Sequence, residues 1–245
     1  MRSIRLFAIL TCIFILLLSV NVSAINTGFS TGELSEELQK SFVSNVNLSA
    51  FTVTPEKKGI DCFDVNENGT VAIGQGIFRR KEVCVYSSEG IFLYGYAFNS
   101  SGDFAVEWDG EVINIYFVRS DVIMSVAPDG TVLDVEKVQS TIANSNYYRE
   151  LCRSIRTVGD TTYQARNDMG ILNLFASSYS QVIVTDITGS ESVFYDVNSI
   201  QLIKMIITVV VVCTFVTIVI VKLVKCWIKL NRGNKKVSKI SSSER

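Results

Sequence analysis

Residues 63 to 74 read FDVNENGTVAIG, and the reading of this run decides the fold. As a calcium loop, Asp64, Asn66 and Asn68 would hold the first, third and fifth ligand positions and Gly69 the sixth. A complete loop also needs a bidentate glutamate at its twelfth position. Here the ninth residue is Ala72 and the twelfth is Gln75, and no helical pattern flanks the run. As a hairpin, Asn68-Gly69 supplies the positive φ that a tight turn between two strands requires. The run is therefore read as strand, turn, strand, with a metal site at Asp64, Asn66 and Asn68 as the alternative. No cofactor is expected.

Outward from this turn the texture stays that of strands. AFTVT (50–54), IDCFDV (60–65), TVAIG (70–74), EVCVYS (82–87) and IFLYGYAF (91–98) are rich in β-branched and aromatic residues and are bounded by glycine turns. Val65–Ile73 aligns with Phe98–Val106, and Asn167–Leu174 reads as a third copy. Each copy is followed by an apolar strand and a second glycine turn. The units fall at about residues 60–98, 98–138 and 161–197, the second carrying an extra hairpin at Asp109-Gly110. Each reads as a four-stranded antiparallel meander of blade-like period. Two short helices are expected. One covers about 33–44, after the capping-box pattern Ser30-Thr31-Gly32-Glu33 with Leu34, Leu38 and Phe42 at helical spacing. The other covers Asn146–Ile155, with Tyr148, Leu151, Cys152 and Ile155 on one face. The fold class is mainly β, made of antiparallel four-stranded meander repeats with short helices and one C-terminal transmembrane helix.

The turn glycines and strand texture over 60–197 resemble NHL-type β-propeller blade repeats. The CFDVNENG…AIG start and the NDMGILN segment resemble small membrane-anchored β-repeat proteins of Gram-positive bacteria, a likeness that brings no activity with it. The resemblance implies stacked blade-like sheets, either as an open curved stack or as a small closed ring.

The two ends carry targeting patterns. Arg2 and Arg5, the apolar run Leu6–Val20 and the small residues before Ile25 form a signal peptide over 1–24, cleaved after Ala24. The run Met205–Val221, 17 residues without a charge, rises about 26 Å as a helix and begins a transmembrane span over 204–226. Beyond Val221 stand eight bases against Glu244 alone, whereas residues 25–204 hold 23 acids and 13 bases, a net charge of −10. Basic flanks stay in the cytoplasm. The chain is thus expected to be a single-pass cell-membrane protein with an extracellular domain over 25–203 and a basic cytoplasmic tail over 227–245. The basic tail adjoins a membrane span, so membrane lipid is its expected partner and nucleic acid is not.

Composition excludes several chemistries. The chain has no histidine, which removes His-dependent triads and His-ligated metals. Cys62, Cys84 and Cys152 are the cysteines of the outer part, an odd set without paired spacing. Cys62 and Cys84 lie on the two strands flanking a third, about 9.5 Å apart, so both are expected to stay reduced. Carboxylate pairs such as Glu107 with Asp109 or Asp61 with Asp64, and the turn acid Asp129, are the candidates for acid–base work. Tyr94, Tyr96, Trp108 and Tyr116 form a possible binding surface, with core packing between sheets as the competing reading. The function read from these features is non-catalytic binding of a protein or cell-envelope polymer at the cell surface. The alternatives are an accessory subunit of a membrane complex and a carboxylate-dependent glycan-active enzyme. Protease added to intact cells is expected to remove most of residues 25–204 and to spare the basic tail; protection of the large domain would reverse the orientation.

Overall fold

The computed structural model describes residues 25–241; the signal peptide read over 1–24 lies outside the described residues, as do the last four residues of the tail. The chain divides into two compact units, residues 25–54 with 62–153, and residues 55–61 with 154–241. The fold is mainly β, with every paired strand antiparallel.

The first unit contains two five-stranded sheets. One is a meander of β3 (Ile60–Val65, entering the unit at Cys62), β4 (Val71–Ile77), β5 (Arg80–Tyr86) and β6 (Phe92–Asn99), with β2 (Ser49–Phe51) added to β6. The other is a meander of β7 (Phe104–Asp109), β8 (Val112–Phe117), β9 (Val122–Val126) and β10 (Val132–Val138), with β1 (Thr31–Glu33) added to β10. Strand alternation turns one face of each sheet inward. Ala72, Val83, Val85, Tyr96 and Phe98 of the first sheet share a core with Phe104, Val106, Ile115, Phe117 and Met124 of the second. Phe98 sits at its centre, edge-on to Phe104 at 5.3 Å and to Phe117 at 5.4 Å. Truncating such a ring costs about 3–5 kcal/mol. Helix α1 (Glu36–Val46) lays Phe42, Val43 and Val46 on this core.

In the second unit β11 (Ile155–Val158), β12 (Thr161–Arg166), β13 (Gln181–Thr185) and β14 (Glu191–Asp196) form one sheet, with a 3-10 helix at Gly170–Phe175. The segment 55–61 is tied to it. Ile60 exchanges both backbone hydrogen bonds with Tyr179, at 2.8 and 2.9 Å, and the Tyr195 hydroxyl bonds both the N–H and the carbonyl of Lys58. Helix α3 (Asn198–Ser241) follows, and its stretch Asn198–Lys225, 28 residues of mean hydropathy 2.8, is long and apolar enough to cross a membrane. Within it Thr208, Thr214 and Thr217 each donate their hydroxyl to the carbonyl four residues back, at 2.8–2.9 Å. Each of the three hydroxyls is thereby satisfied within the helix itself.

The opening run is a turn. Gly69 has φ 76°, the Gly69 N–H bonds the Asn66 carbonyl, and the Asn66 N–H bonds the Thr70 carbonyl. The same pattern recurs at Ser87–Ile91, Ala127–Thr131 and Asp186–Ser190, each with its glycine at a φ near 80°. This is a type I turn closed by a left-handed glycine, which bulges the following strand. Its first residue caps the loop: Asn66 Oδ1 accepts from the N–H groups of Asn68 and Thr70, and Ser87 and Asp186 act alike.

Several expectations need correction. Thr31–Glu33 is strand β1, because pairing with Val138–Glu136 outweighs a capping-box pattern, so α1 begins only at Glu36 and Leu38 faces solvent. The Gly102 segment is not a hairpin within a unit. It links β6 to β7, which lie in different sheets, so the second meander starts at Phe104 and its first turn is Asp109-Gly110. Asn167–Leu174 is not a strand turn either; it leads into the 3-10 helix between β12 and β13, and the third meander starts at Ile155. The helix read over Asn146–Ile155 is α2, Ile142–Leu151, because Thr141 caps it by accepting from the Asn144 N–H. The basic stretch after residue 226 continues α3, having no proline to stop it. None of the sheets closes into a barrel, and no propeller is found among the described residues.

Neither Cys62 nor Cys84 is in a disulfide among the described residues, and they stand on opposite faces: Cys62 joins the core between the sheets, whereas Cys84 pairs with Ile73, which does not. Asp64 is more than a replaceable strand residue. Its Oδ2 accepts from the Trp108 backbone N–H at 2.8 Å and so caps β7, an edge strand. In the full chain in detergent, Gly69→Ala is expected to cost about 1 kcal/mol by forcing alanine to a positive φ. Asp64→Ala is expected to cost about 1–3 kcal/mol by orphaning the Trp108 N–H. Thermal midpoints measure both. A calcium-dependent rise in the midpoint that Asp64→Ala abolishes would restore the metal reading.

Candidate functional site

On the face of the β7–β10 sheet turned away from the core, polar residues stand opposite one another across all four strands. Glu107 pairs with Asn114, Asn114 with Ser125, and Ser125 with Asp134. Asn114 and Ser125 are buried, a costly placement unless every polar atom finds a partner. The chain just after residue 24 supplies partners. Asn114 Nδ2 donates to the Asn26 carbonyl at 2.9 Å, and Thr27 Oγ1 donates to Glu107 Oε2 at 2.6 Å. Asn26 Nδ2 donates to Asp109 Oδ1 at 2.8 Å, and the Ile25 N–H donates to Glu136 Oε1 at 3.2 Å. Ser125 closes the row on Asn114 Oδ1 at 2.5 Å.

Apolar residues seal this segment down. Ile25 and Phe29 cluster with Ala105, Tyr116, Ile123, Val138 and Leu151, and Tyr147 and Tyr148 of α2 pack over them. Gly28 lies directly against the Tyr147 ring, where a Cβ would not fit. Asn144, almost fully buried, holds Ser30 by both its N–H and its carbonyl.

This geometry places the carboxylates. Glu107 accepts from Thr27 on one oxygen and from the Tyr147 hydroxyl on the other. Burial pushes its carboxyl above the usual range, against the lowering effect of those two hydroxyls. Burial, followed by its bond to Glu107, pushes the Tyr147 hydroxyl up as well. Glu107 and Asp109 thus share a face as a catalytic pair would, but both are occupied by the chain's own residues. Asp61 and Asp64, three apart on one strand, point to opposite faces. Asp129 is exposed, its carboxyl held low by the Thr131 N–H it accepts from. Asn66 spends its side-chain oxygen on the turn, Asn68 is exposed beside it, and no group of three His, Cys, Asp or Glu side chains fit for a metal is gathered among the described residues.

The four aromatics are not a surface. Tyr96 is fully buried with its hydroxyl on the Ala127 carbonyl at 2.7 Å, and Tyr116 is buried with its hydroxyl on Asp121 at 3.1 Å. Tyr94 and Trp108 are half-buried against the core between the sheets. Core packing, the competing reading, accounts for them.

A different site lies at the other end of the sandwich. The β4–β5 turn, the β6–β7 link, the β8–β9 turn and the end of α1 surround a cleft of about 470 Å³. Phe42, Val46 and Phe117 floor it, while Arg79, Arg119, Asn45, Asn99 and three serines rim it. The Arg79 carbonyl accepts from the Ser100 N–H at 2.8 Å, fixing one turn to the link. Gly102 lets the Arg119 side chain approach, since a Cβ there would stand 2.9 Å from the Arg119 Cβ. Among the described residues, neither Arg79 nor Arg119 is in an ion pair. Beside Arg79, Phe78 has φ 52° and is 92% exposed. It is the first central residue of a two-residue hairpin, a place that normally takes glycine, and a bulky residue there is strained.

Sequence reasoning missed both this cleft and the role of Ile25–Ser30. A hairpin tip written Ile77-Phe78-Arg79-Arg80, apolar and basic with no turn residue, is the signal that marks the first. Compared with protein-family models, with curated proteins and with solved structures, the chain finds no match.

Replacing Glu107 tests the row. Glu107→Ala leaves the Thr27 and Tyr147 hydroxyls without an acceptor and is expected to cost about 2–3 kcal/mol, with Glu107→Gln costing less. An acid whose pKa is raised on folding binds its proton more tightly when folded. The wild type is therefore expected to gain stability relative to Glu107→Gln as pH falls from neutral toward the unfolded value of 4.5. Midpoints measured at several pH values check the sign.

Proposed function

We propose that this chain is a membrane-anchored binding module whose β-rich part faces the outside of the cell and takes an anionic partner in the Arg79–Arg119 cleft. The observation that carries the reading is the pair of arginines, unpaired with any acid, converging on one cleft in a segment of net charge −10. Two guanidinium groups without a carboxylate on the rim of one cleft are available to a ligand. Guanidinium forks suit phosphate or carboxylate, and the apolar floor suits the body of the molecule that bears it. Phe78, exposed at a hairpin position where glycine would be unstrained, supplies an aromatic lip. The partner class is an envelope polymer or a protein with acidic groups.

Support for the setting comes from the ends. The helix at Asn198–Lys225 and the basic residues after it favour the β-rich part outside and the tail inside. The meanders, with their repeated glycine turns, favour a blade-like repeat that presents loops at its ends. The enzyme reading is the weaker one, because Glu107 and Asp109 are occupied by Thr27, Tyr147 and Asn26.

Retention of the purified full chain on washed cell envelopes, at low and at high salt, tests the binding reading. Arg79→Gln and Arg119→Gln are each expected to reduce retention about tenfold, a loss of about 1.4 kcal/mol. Salt should weaken the wild type more than the double variant. Retention unchanged by both substitutions would end the proposal. Co-purification of another membrane chain that survives both would favour the accessory-subunit reading instead.

A further inference from the structure

The segment Ile25–Ser30 is held more tightly than a linker needs, and the place where its nitrogen lies is chemically incomplete. The Ile25 side chain is 9% exposed, and its N–H donates to Glu136 Oε1. The other oxygen of that carboxylate, Oε2, is buried and has no hydrogen-bond partner. Asp134 stands two residues away on the same face of β10, and burial, with the nearby Glu136 charge, raises its carboxyl. Glu33 stands directly opposite Glu136 on β1. Like charges opposite one another destabilise a strand pair. Yet among the described residues none of these three acids is in an ion pair with a lysine or arginine. A buried carboxylate oxygen on Glu136, with two further acids beside it, calls for a cation at the Ile25 nitrogen.

An amide nitrogen carries one hydrogen and no charge. An ammonium at the same place carries three hydrogens and a positive charge, enough for both oxygens of Glu136 and for Asp134. The residues before Ile25, Val22-Ser23-Ala24 after an apolar run, are those of a signal-peptide cleavage site. We infer that hydrolysis of the Ala24–Ile25 bond turns the Ile25 nitrogen into an ammonium that seats on Glu136 and Asp134, so that removal of the leader completes the fold of the first unit. In that step a membrane-bound leader peptidase adds water across the amide. The carboxylate leaves on Ala24, and the new amine takes up a proton at neutral pH. The polar row and the apolar cover then hold Asn26, Thr27 and Phe29, and the terminus cannot fray as exposed termini do.

The experiment uses the full chain, expressed in a membrane and purified in mild detergent. Mass analysis of the N-terminal peptide should show a mature chain beginning at Ile25. Under native conditions an amine-reactive reagent should modify that α-amine at least tenfold more slowly than in Glu136→Gln, and at the same rate once both are unfolded. A second variant, with one alanine inserted before Ile25, keeps every carboxylate but moves the ammonium about 3.5 Å away. It should lower the thermal midpoint, and combining it with Glu136→Gln should cost no more than the larger of the two alone. If Glu136→Gln does not fold, the reactivity of the inserted chain against the wild type gives the same comparison. A mature chain that starts elsewhere, an α-amine equally reactive in all forms, or losses that simply add would each overturn the inference.

Discussion

A four-stranded meander has two faces to cover and two edges that invite pairing with another chain, and the first unit is organised around both needs. One face of each sheet is covered by the other sheet, across a core centred on Phe98. The far face of the β7–β10 sheet is too polar to be sealed by apolar packing alone, because Glu107, Asn114, Ser125 and Asp134 line up across it. A short irregular segment with small polar side chains, residues 25–30, answers that row. Asn26 and Thr27 offer both donors and a free carbonyl to it. The edges are treated separately: β1 and β2 extend two of them, and Asp64 blocks a third by capping the Trp108 N–H.

Much of the strand order was legible because glycine is needed at a fixed place in one kind of turn. Asn68-Gly69, Glu89-Gly90 and Asp129-Gly130 sit between apolar runs of the right length, and the hairpins they mark are present. What misled was the same signal used for another purpose. Gly102 follows asparagine and serines and precedes a strand, as Gly69 does, but it is there to admit the Arg119 side chain, and the chain changes sheet at that point. Gly170 has φ 56° at the head of a 3-10 helix, where no hairpin forms. A glycine marks where the chain can turn or be closely approached; which strands then meet is settled by long-range burial.

The site was less legible than the fold for a related reason. Aromatic density drew attention to Tyr96 and Tyr116, yet strand alternation alone left open which side they face, and both proved to be interior. Glu107 and Asp109 were visible as an i, i+2 pair on one face, but their partners come from residues about 80 positions earlier. Arg79 and Arg119 belong to two separate turns that only tertiary packing brings to one cleft.

The path of the chain through the two units has a consequence for the order of assembly. Residues 55–61 belong with the later sheet, although unit-one residues come before and after them. During synthesis this short stretch is made long before Tyr179 and Tyr195, to which it bonds. Its bonds to those two tyrosines must wait, although Ile60 and Asp61 already begin β3 beside β4. Its partners arrive only just ahead of α3, whose Gln201 bonds the Tyr179 carbonyl. Closure of the second unit and delivery of the apolar helix are therefore nearly simultaneous events. The chain cannot be cut at residue 153 into two self-sufficient pieces, because the later piece would lack a strand segment made much earlier.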